Sequence, residues 1–492
     1  MPSRLHKWLT PAAWVTATVA ALLLIFPPGF PNYDTIYALV WGRELAHGMS
    51  PDYGAALPPT PHPLADLLGL VTTPLGNGAI DVTMVVAYIA LGLTGYLVYR
   101  LGSLWFDRPI GAVAALIVLT RAPYLSNGLR AYVDLPYIAL ALGALVIESR
   151  KPRAGWPVLT LLALAGLLRP EAWLFSIAYW AWLAIAVERK PLNTGDSRWR
   201  LRWRGERPPR ELTWLATLAL AGPLLWAAFD WTTTGNPLYS FNGTRETVES
   251  LKRQTGPVDL VLFGPRRLGE VLQWPGMVGA AGGVVLAFAF LRRRAALGLA
   301  AAVLALGAFA LLACAGLAII ARYTMLGGAV LSIFVAVALL GWRLLEREHP
   351  WRRRWQIFAG VVVAMFVIWA PNQWDLDSTV KSDLTHQGTI ERDLTDLVDA
   401  GAFAKPLCGP VAVPNHRAIP RLAFGLDVKP TQMVSASEEG IPRRGYFLKP
   451  ASAFVIHNFI LDPNDPTRFS LSVPPGFRRV GGNESWILYR HC

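Results

Sequence analysis

Long apolar blocks, parted by short polar and Arg-rich stretches, run through the first three quarters of the chain. A helix that crosses a bilayer needs about 20 mostly apolar residues, with a range of roughly 17 to 25. That length selects eleven segments: 10–28, 80–101, 109–125, 131–148, 154–169, 171–187, 212–232, 274–291, 297–320, 323–342 and 356–371. The pattern predicts a mainly α fold, a polytopic membrane helix bundle of about eleven spans. Arg4 and Lys7 precede the first segment, which lacks a small-residue cleavage site before Pro27-Pro28 and so reads as an anchor. Arg169-Pro170-Glu171 parts the fifth segment from the sixth, and Pro170 cannot continue a preceding helix. After residue 371 the chain turns polar and Pro-rich, with short β-like runs at Val411-Ala412-Val413 and Trp486-Ile487-Leu488-Tyr489. The expected organisation is a transmembrane module over 1–371, with a structured first outer loop at 29–79, and a small α/β C-terminal domain over 372–492.

Composition sharpens this picture. Hydrophobic residues make up 53% of the 492 and charged residues only 16%, where soluble domains carry roughly 25% charged. A mean hydropathy of +0.36 excludes a disordered chain and argues against a purely soluble enzyme. The formal net charge of +13 suggests nucleic acid until the charges are mapped. With the N-terminus inside, the inner segments hold 23 of the 46 Lys and Arg residues and the outer loops 10, as cytoplasmic loops of membrane proteins do. The sequence therefore predicts a multi-pass plasma-membrane protein with a cytoplasmic N-terminus and an extracytoplasmic tail. Arg198-Trp199-Arg200-Leu201-Arg202-Trp203-Arg204 interleaves aromatics with arginine as a nucleic-acid segment can, but beside a span it suits anionic headgroups better. Three cysteines exclude a disulfide-dense scaffold. Cys408 and Cys492 lie in the oxidising compartment and are expected to pair, whereas Cys314 reads as a small buried hydrophobe.

Ionisable groups at the edge of a membrane bundle are costly, so their placement points to function. Asp34, Arg130, Asp134, Arg169, Glu171 and Arg322 all map to the outer boundary. In the first outer loop, residues 34–48 read as an amphipathic helix suited to the interface, ending at Gly48, and a second short segment runs from His62 to about Leu70. Each candidate also has a plain structural reading. Asp34 suits a helix N-cap, Arg169 with Glu171 suits an ion pair across the turn, and Arg130 with Asp134 has i,i+4 spacing. His62 is a candidate headgroup or metal contact beside a simple polar loop contact, and Asp52 and Asp66 read as solvated.

Two helices after the first span, an acidic residue opening that loop and a polar outer tail resemble the GT-C class of membrane glycosyltransferases. Leu167-Leu168-Arg169-Pro170-Glu171-Ala172-Trp173 resembles the Arg-Pro-Glu turn of actinobacterial members such as the arabinofuranosyltransferases. Arg322-Tyr323 is similar to the Arg-Tyr pair that precedes a late span in the mannosyl- and aminoarabinosyl-transferase branches, although Thr324-Met325-Leu326-Gly327 follows where those branches usually reach a Pro. The first loop of the class often holds two close acidic residues. Here Asp34 stands alone, with Glu44 and Asp52 nearest.

The resemblance implies inverting transfer of a hexosyl or pentosyl unit from a polyprenyl-phosphate donor to a hydroxyl of a glycolipid or polysaccharide acceptor on the outer face. It casts Asp34 as general base and Arg169, Arg322 and Arg130 as donor phosphate ligands, with His62, Glu44, Asp134 and Glu171 supporting. Some members of the class use a divalent metal and others do not, and a lone Asp34 argues mildly against one. The sequence calls for no other cofactor and no nucleic acid. The competing readings are a transporter or flippase of lipid-linked sugars, which would carry paired repeats and broken helices, and a non-catalytic cell-envelope binding protein.

Overall fold

The computed structural model describes residues 4–191, 197–202, 208–461 and 469–492, with backbone alone for 4–9, 186–191 and 197–202. The chain forms α1 (Arg4–Ile25), α2 (Tyr33–Ala46), α3 (Pro63–Thr72), α4 (Gly78–Trp105), α5 (Arg108–Leu119), α6 (Ala122–Leu129), α7 (Asp134–Arg150), α8 (Trp156–Gly166) and α9 (Glu171–Ala184). An antiparallel hairpin follows, β1 (Ala186–Pro191) with β2 (Ser197–Arg202). Then come α10 (Pro209–Thr234), α11 (Tyr239–Ser250), α12 (Gly256–Phe290), α13 (Arg292–Cys314), α14 (Met325–Leu340) and α15 (Trp351–Asp399).

The apolar helices make this a multi-pass membrane protein. Among the described residues, six helices are long and apolar enough to cross a bilayer, or seven if α5 and α6, bent by 63° at Thr120–Arg121, count as one. The expected count of eleven is not reached by this measure. Segments 131–148, 154–169 and 171–187 fold as helices of 17, 11 and 14 residues: α7 starts only at Asp134, α8 runs from its N-cap Gly155 to Gly166, and α9 opens after Pro170 and ends at Ala184. The basic run from Arg198 to Arg204 falls on residues described by backbone only or lying outside the described residues. Cys314, expected to be buried, is exposed, since the last residue of α13 faces outward.

The C-terminal part carries β3 (Val411–Val413), α16 (Ile419–Leu426), β4 (Met433–Ser435), β5 (Gly445–Pro450), β6 (Arg478–Gly482) and β7 (Trp486–His491). Its sheet has strand order β4-β3-β5-β7-β6, with β3 parallel to both neighbours and the β5, β7 and β6 pairs antiparallel. Cys408 and Cys492 form a disulfide with a Cα–Cα distance of 5.9 Å, joining the lead into β3 to the end of β7. The expected border at residue 371 falls inside α15, whose Pro371 does not end the helix. Val380 and Leu384 of α15 belong to the core of the bundle, whereas Ile390, Leu394 and Leu397 belong to that of the sheet.

α2 lies between the two cores. Tyr37, Val40 and Trp41 pack with α15, α16 and the sheet. On its other side Gly42 meets Gly69 of α3 so closely that a Cβ at Gly42 would come within 2.4 Å of the Gly69 backbone. Its basic residue, Arg43, donates to the Phe424, Ala423 and Val428 carbonyls at the end of α16 and pairs with Asp427 at 2.9 Å. Those are the carbonyls a helix end leaves open, and a cation suits them. α2 is thus clamped inside the protein, where an interfacial helix was expected.

Glu391 of α15 and Arg421 of α16 form a buried ion pair at 3.0 Å. Burial pushes the Glu391 carboxyl up, while Arg421 and Arg417 draw it back. Removing one partner leaves a buried charge uncompensated, at a cost of about 3–5 kcal/mol. Glu391→Ala should therefore lower the thermal midpoint of the purified protein sharply, and Arg421→Met in the same chain should restore part of it.

Candidate functional site

Asp34 occupies the first turn of α2, but Asn32 is the cap: its side chain accepts from the Asp34 and Thr35 amides at 2.8 and 3.3 Å. The Asp34 carboxylate is therefore not spent on capping. The Asn32 backbone and side-chain N–H groups donate to the Arg130 carbonyl at 2.8 and 2.9 Å, and Thr35 donates to the Ala131 carbonyl at 2.7 Å. These bonds bolt the turn between α6 and α7 to the start of α2. Ala131, at φ 53°, breaks the helix there, so Arg130 and Asp134 do not stand one turn apart on one face.

Four of the expected residues converge around this junction. Arg322, in the 3-10 turn Ala321–Thr324 before α14, donates to Asp34 at 3.2 Å. Arg169 pairs with Asp134, and both are buried. The Tyr323 ring lies under both guanidiniums, 4.7 Å from that of Arg169 and 5.6 Å from that of Arg322, and the Tyr132 ring lies 5.8 Å from Arg322. Cation–π contacts of this kind hold Arg side chains in place without consuming their donors. The expected Arg169–Glu171 and Arg130–Asp134 pairs are replaced: Arg169 takes Asp134, and Arg130 reaches Asp383 of α15 at 3.5 Å and stacks on Phe30. Glu171 is buried beside Arg169, and its Oε2 has no hydrogen-bond partner among the described residues.

His62 joins the same cluster from the loop before α3. Its ring meets Trp226 edge-on at 5.8 Å, and its buried Nδ1 has no hydrogen-bond partner among the described residues. Burial first, then the charges of Arg169 and Arg322, push its imidazole down from 6.5 to about 3. Between those two values the unfolded chain binds a proton that the folded chain refuses, so stability falls as pH drops through that window. By pH 5 the loss reaches about 2 kcal/mol. Wild type should therefore lose more thermal stability between pH 7 and pH 5 than His62→Gln, and equal losses would show that His62 titrates normally.

Other expectations fare differently. Glu44 is buried outside the cluster, accepting from the Asp52 amide at 2.7 Å and shaping the loop after α2. Asp52 is tied to the C-terminal part, accepting from the Thr431 amide and hydroxyl at 3.0 and 2.5 Å. Asp66, expected in solvent, is fully buried, since α3 packs closely along α2, and the charge of Asp230 of α10 reaches it. Among the described residues no three acidic, His or Cys side chains are grouped to hold a metal ion.

Sequence reasoning missed the contribution of the C-terminal part. The turn at 415–418 lies against the start of α2: the His416 ring meets Tyr33 edge-on at 5.5 Å, and the charge of Arg417 reaches Tyr33 and Tyr132. No local signal marks Arg417, since only the folded chain brings it within reach of α2. Asn32 was legible in principle, as an Asn two residues ahead of an acidic first turn is a helix-start signature.

No protein-family model matches the sequence, and no curated protein matches it. Among solved structures, ArnT from Cupriavidus metallidurans bound to undecaprenyl phosphate aligns at a TM-score of 0.53 with 13% identity, over 99% of this chain and 98% of that one. The apo state of the same protein aligns at 0.52 with 14% identity, over 97% and 98%. The Archaeoglobus fulgidus oligosaccharyltransferase tethered to an acceptor peptide aligns at 0.47 with 12% identity, over 95% and 74%. Over nearly its whole length, then, the chain has the fold of ArnT, in keeping with the GT-C resemblance read from its sequence.

Proposed function

We propose that this protein is a membrane glycosyltransferase that moves a sugar from a polyprenyl-phosphate donor to an acceptor hydroxyl on the outer face of the plasma membrane. The observation that carries the reading is the Asp34–Arg322 pair at 3.2 Å, flanked by Arg169 and the Tyr132 and Tyr323 rings. It is supported by the shared fold with ArnT, whose solved structure holds undecaprenyl phosphate.

In this reading the donor phosphate takes Arg322 as its ligand, with Arg169 and Arg130 lending positive charge behind it. Arg322 is partly exposed and can exchange its carboxylate for a phosphate, which leaves one Asp34 oxygen free. Asp34 then accepts the acceptor's proton as its oxygen attacks the anomeric carbon from the face opposite the phosphate, inverting that centre. Charge builds on the departing phosphate, where the guanidiniums stabilise it. His62, held neutral, adds no competing charge.

The test is transfer itself. Reconstituted protein is given polyprenyl-phosphate donors carrying radiolabelled hexoses and pentoses, together with envelope glycolipid or polysaccharide, and label in the acceptor is counted. Transfer from at least one donor is expected. Scrambling of the lipid donor with no transfer would establish a flippase instead.

A further inference from the structure

The N-cap of α3 lies against α10. The His62 ring meets Trp226 edge-on at 5.8 Å, and one turn further along each chain segment Asp66 feels the charge of Asp230. Asp230 is satisfied, accepting from the Ser240 amide at 2.9 Å and its hydroxyl at 2.7 Å. Asp66 is not: it is 0% exposed, and neither carboxyl oxygen has a hydrogen-bond partner among the described residues. The buried Tyr53 hydroxyl, close to Thr233, likewise finds no partner of hydrogen-bonding geometry among them. Burial and the Asp230 charge push the Asp66 carboxyl well above its ordinary range.

Buried polar atoms are normally hydrogen-bonded, and leaving one unmade costs about 1–3 kcal/mol. A site that leaves three such oxygens open therefore has capacity for a ligand that supplies hydroxyl groups. Aromatic rings are at hand on the same segments: Tyr53 and Tyr239 form a tilted pair 5.2 Å apart, and Trp226 lies against His62, one turn before Asp66. Aromatic faces for C–H surfaces and carboxyl groups for hydroxyls together match a sugar ring. A hydroxyl contact of 2.5 Å between Thr60 and Thr244 joins the loop before α3 to α11.

The geometry points to a saccharide-binding subsite between α3 and α10, in which Asp66 and Tyr53 hydrogen-bond hydroxyl groups of the acceptor sugar while the Asp34 cluster works on the donor. This rests on the transferase reading for the word acceptor, but the binding itself is measurable without transfer.

The probe is a panel of water-soluble di- and trisaccharides of gluco, manno, galacto and arabino configuration, followed by saturation-transfer NMR on the full-length protein in nanodiscs. Wild type should saturate at least one of them. Asp66→Asn and Tyr53→Phe should each weaken that sugar by about fivefold or more, the loss expected of one hydrogen bond, with undecaprenyl-phosphate affinity unchanged. Asp66→Leu guards against misreading a folding defect: a variant that melts higher than wild type and still binds the sugar equally well would overturn the subsite. So would saturation of no panel member by wild type, or unchanged binding in Asp66→Asn. Sugar binding that persists without transfer from any donor would sink the transferase reading and leave the subsite standing. Transfer with an unchanged acceptor KM in Asp66→Asn would do the reverse.

Discussion

Asp34→Asn is expected to lower sugar transfer by about 10²- to 10⁴-fold, the range lost when a positioned general base is removed. The substitution keeps the side chain's shape and leaves the helix cap untouched, because Asn32 and not Asp34 receives the first-turn amides. Protein yield and thermal midpoint should stay near wild type, since the Asp34–Arg322 pair is partly exposed and such pairs contribute at most about 1 kcal/mol. Donor binding should persist, and it should tighten if Arg322, released from its carboxylate, meets the phosphate more freely. Undiminished transfer at normal protein levels would remove Asp34 from the chemistry and with it the mechanism proposed above.

The two arginines should separate cleanly. Arg322→Ala is expected to weaken donor binding by about 10- to 100-fold, the effect of losing charge-assisted hydrogen bonds of about 1.5–3 kcal/mol, with a modest change in stability. Arg169→Ala should instead reduce stability by about 3–5 kcal/mol, because it strands Asp134, 1% exposed, without its partner. The double change Arg169→Met with Asp134→Leu should recover much of the fold, and donor affinity measured in that background isolates the role of Arg169 in binding. Donor affinity unchanged in both Arg322→Ala and the double variant would reduce both arginines to scaffolding. Differential scanning fluorimetry in detergent, alongside undecaprenyl-phosphate titration, distinguishes these outcomes.

Much of this arrangement was legible because it is local. The Asp34–Gly48 helix, the His62 segment and the Arg169-Pro170-Glu171 turn appear as α2, α3 and the joint between α8 and α9, since capping and proline punctuation act over a few residues. What hydropathy could not give was length in three dimensions. A mostly apolar window of 16 residues at 154–169 reads as a span, yet the helix there covers only 11 of them. Nor could it give partners: the Arg130–Asp383 and Arg43–Asp427 pairs join residues hundreds of positions apart. Asp66 shows the limit most plainly. Its neighbours Leu64, Leu67 and Leu68 gave no sign that the acid is the fully buried one, while Leu67 is half exposed.

The unbroken run of α15 from Trp351 to Asp399 gives the molecule a mechanical axis. At 1.5 Å per residue it is about 74 Å long, so an apolar stretch ending near residue 370 leaves about 43 Å of rod beyond it. Tilting the embedded end by about 10° would sweep the far tip through roughly 7 Å. That rod carries both Asp383, which pairs with Arg130, and Glu391, which pairs with Arg421 of α16, so a change in its tilt is felt at both pairs at once. One stiff lever thus joins the membrane-embedded bundle to the sheet, and the two halves of the molecule pivot together rather than apart.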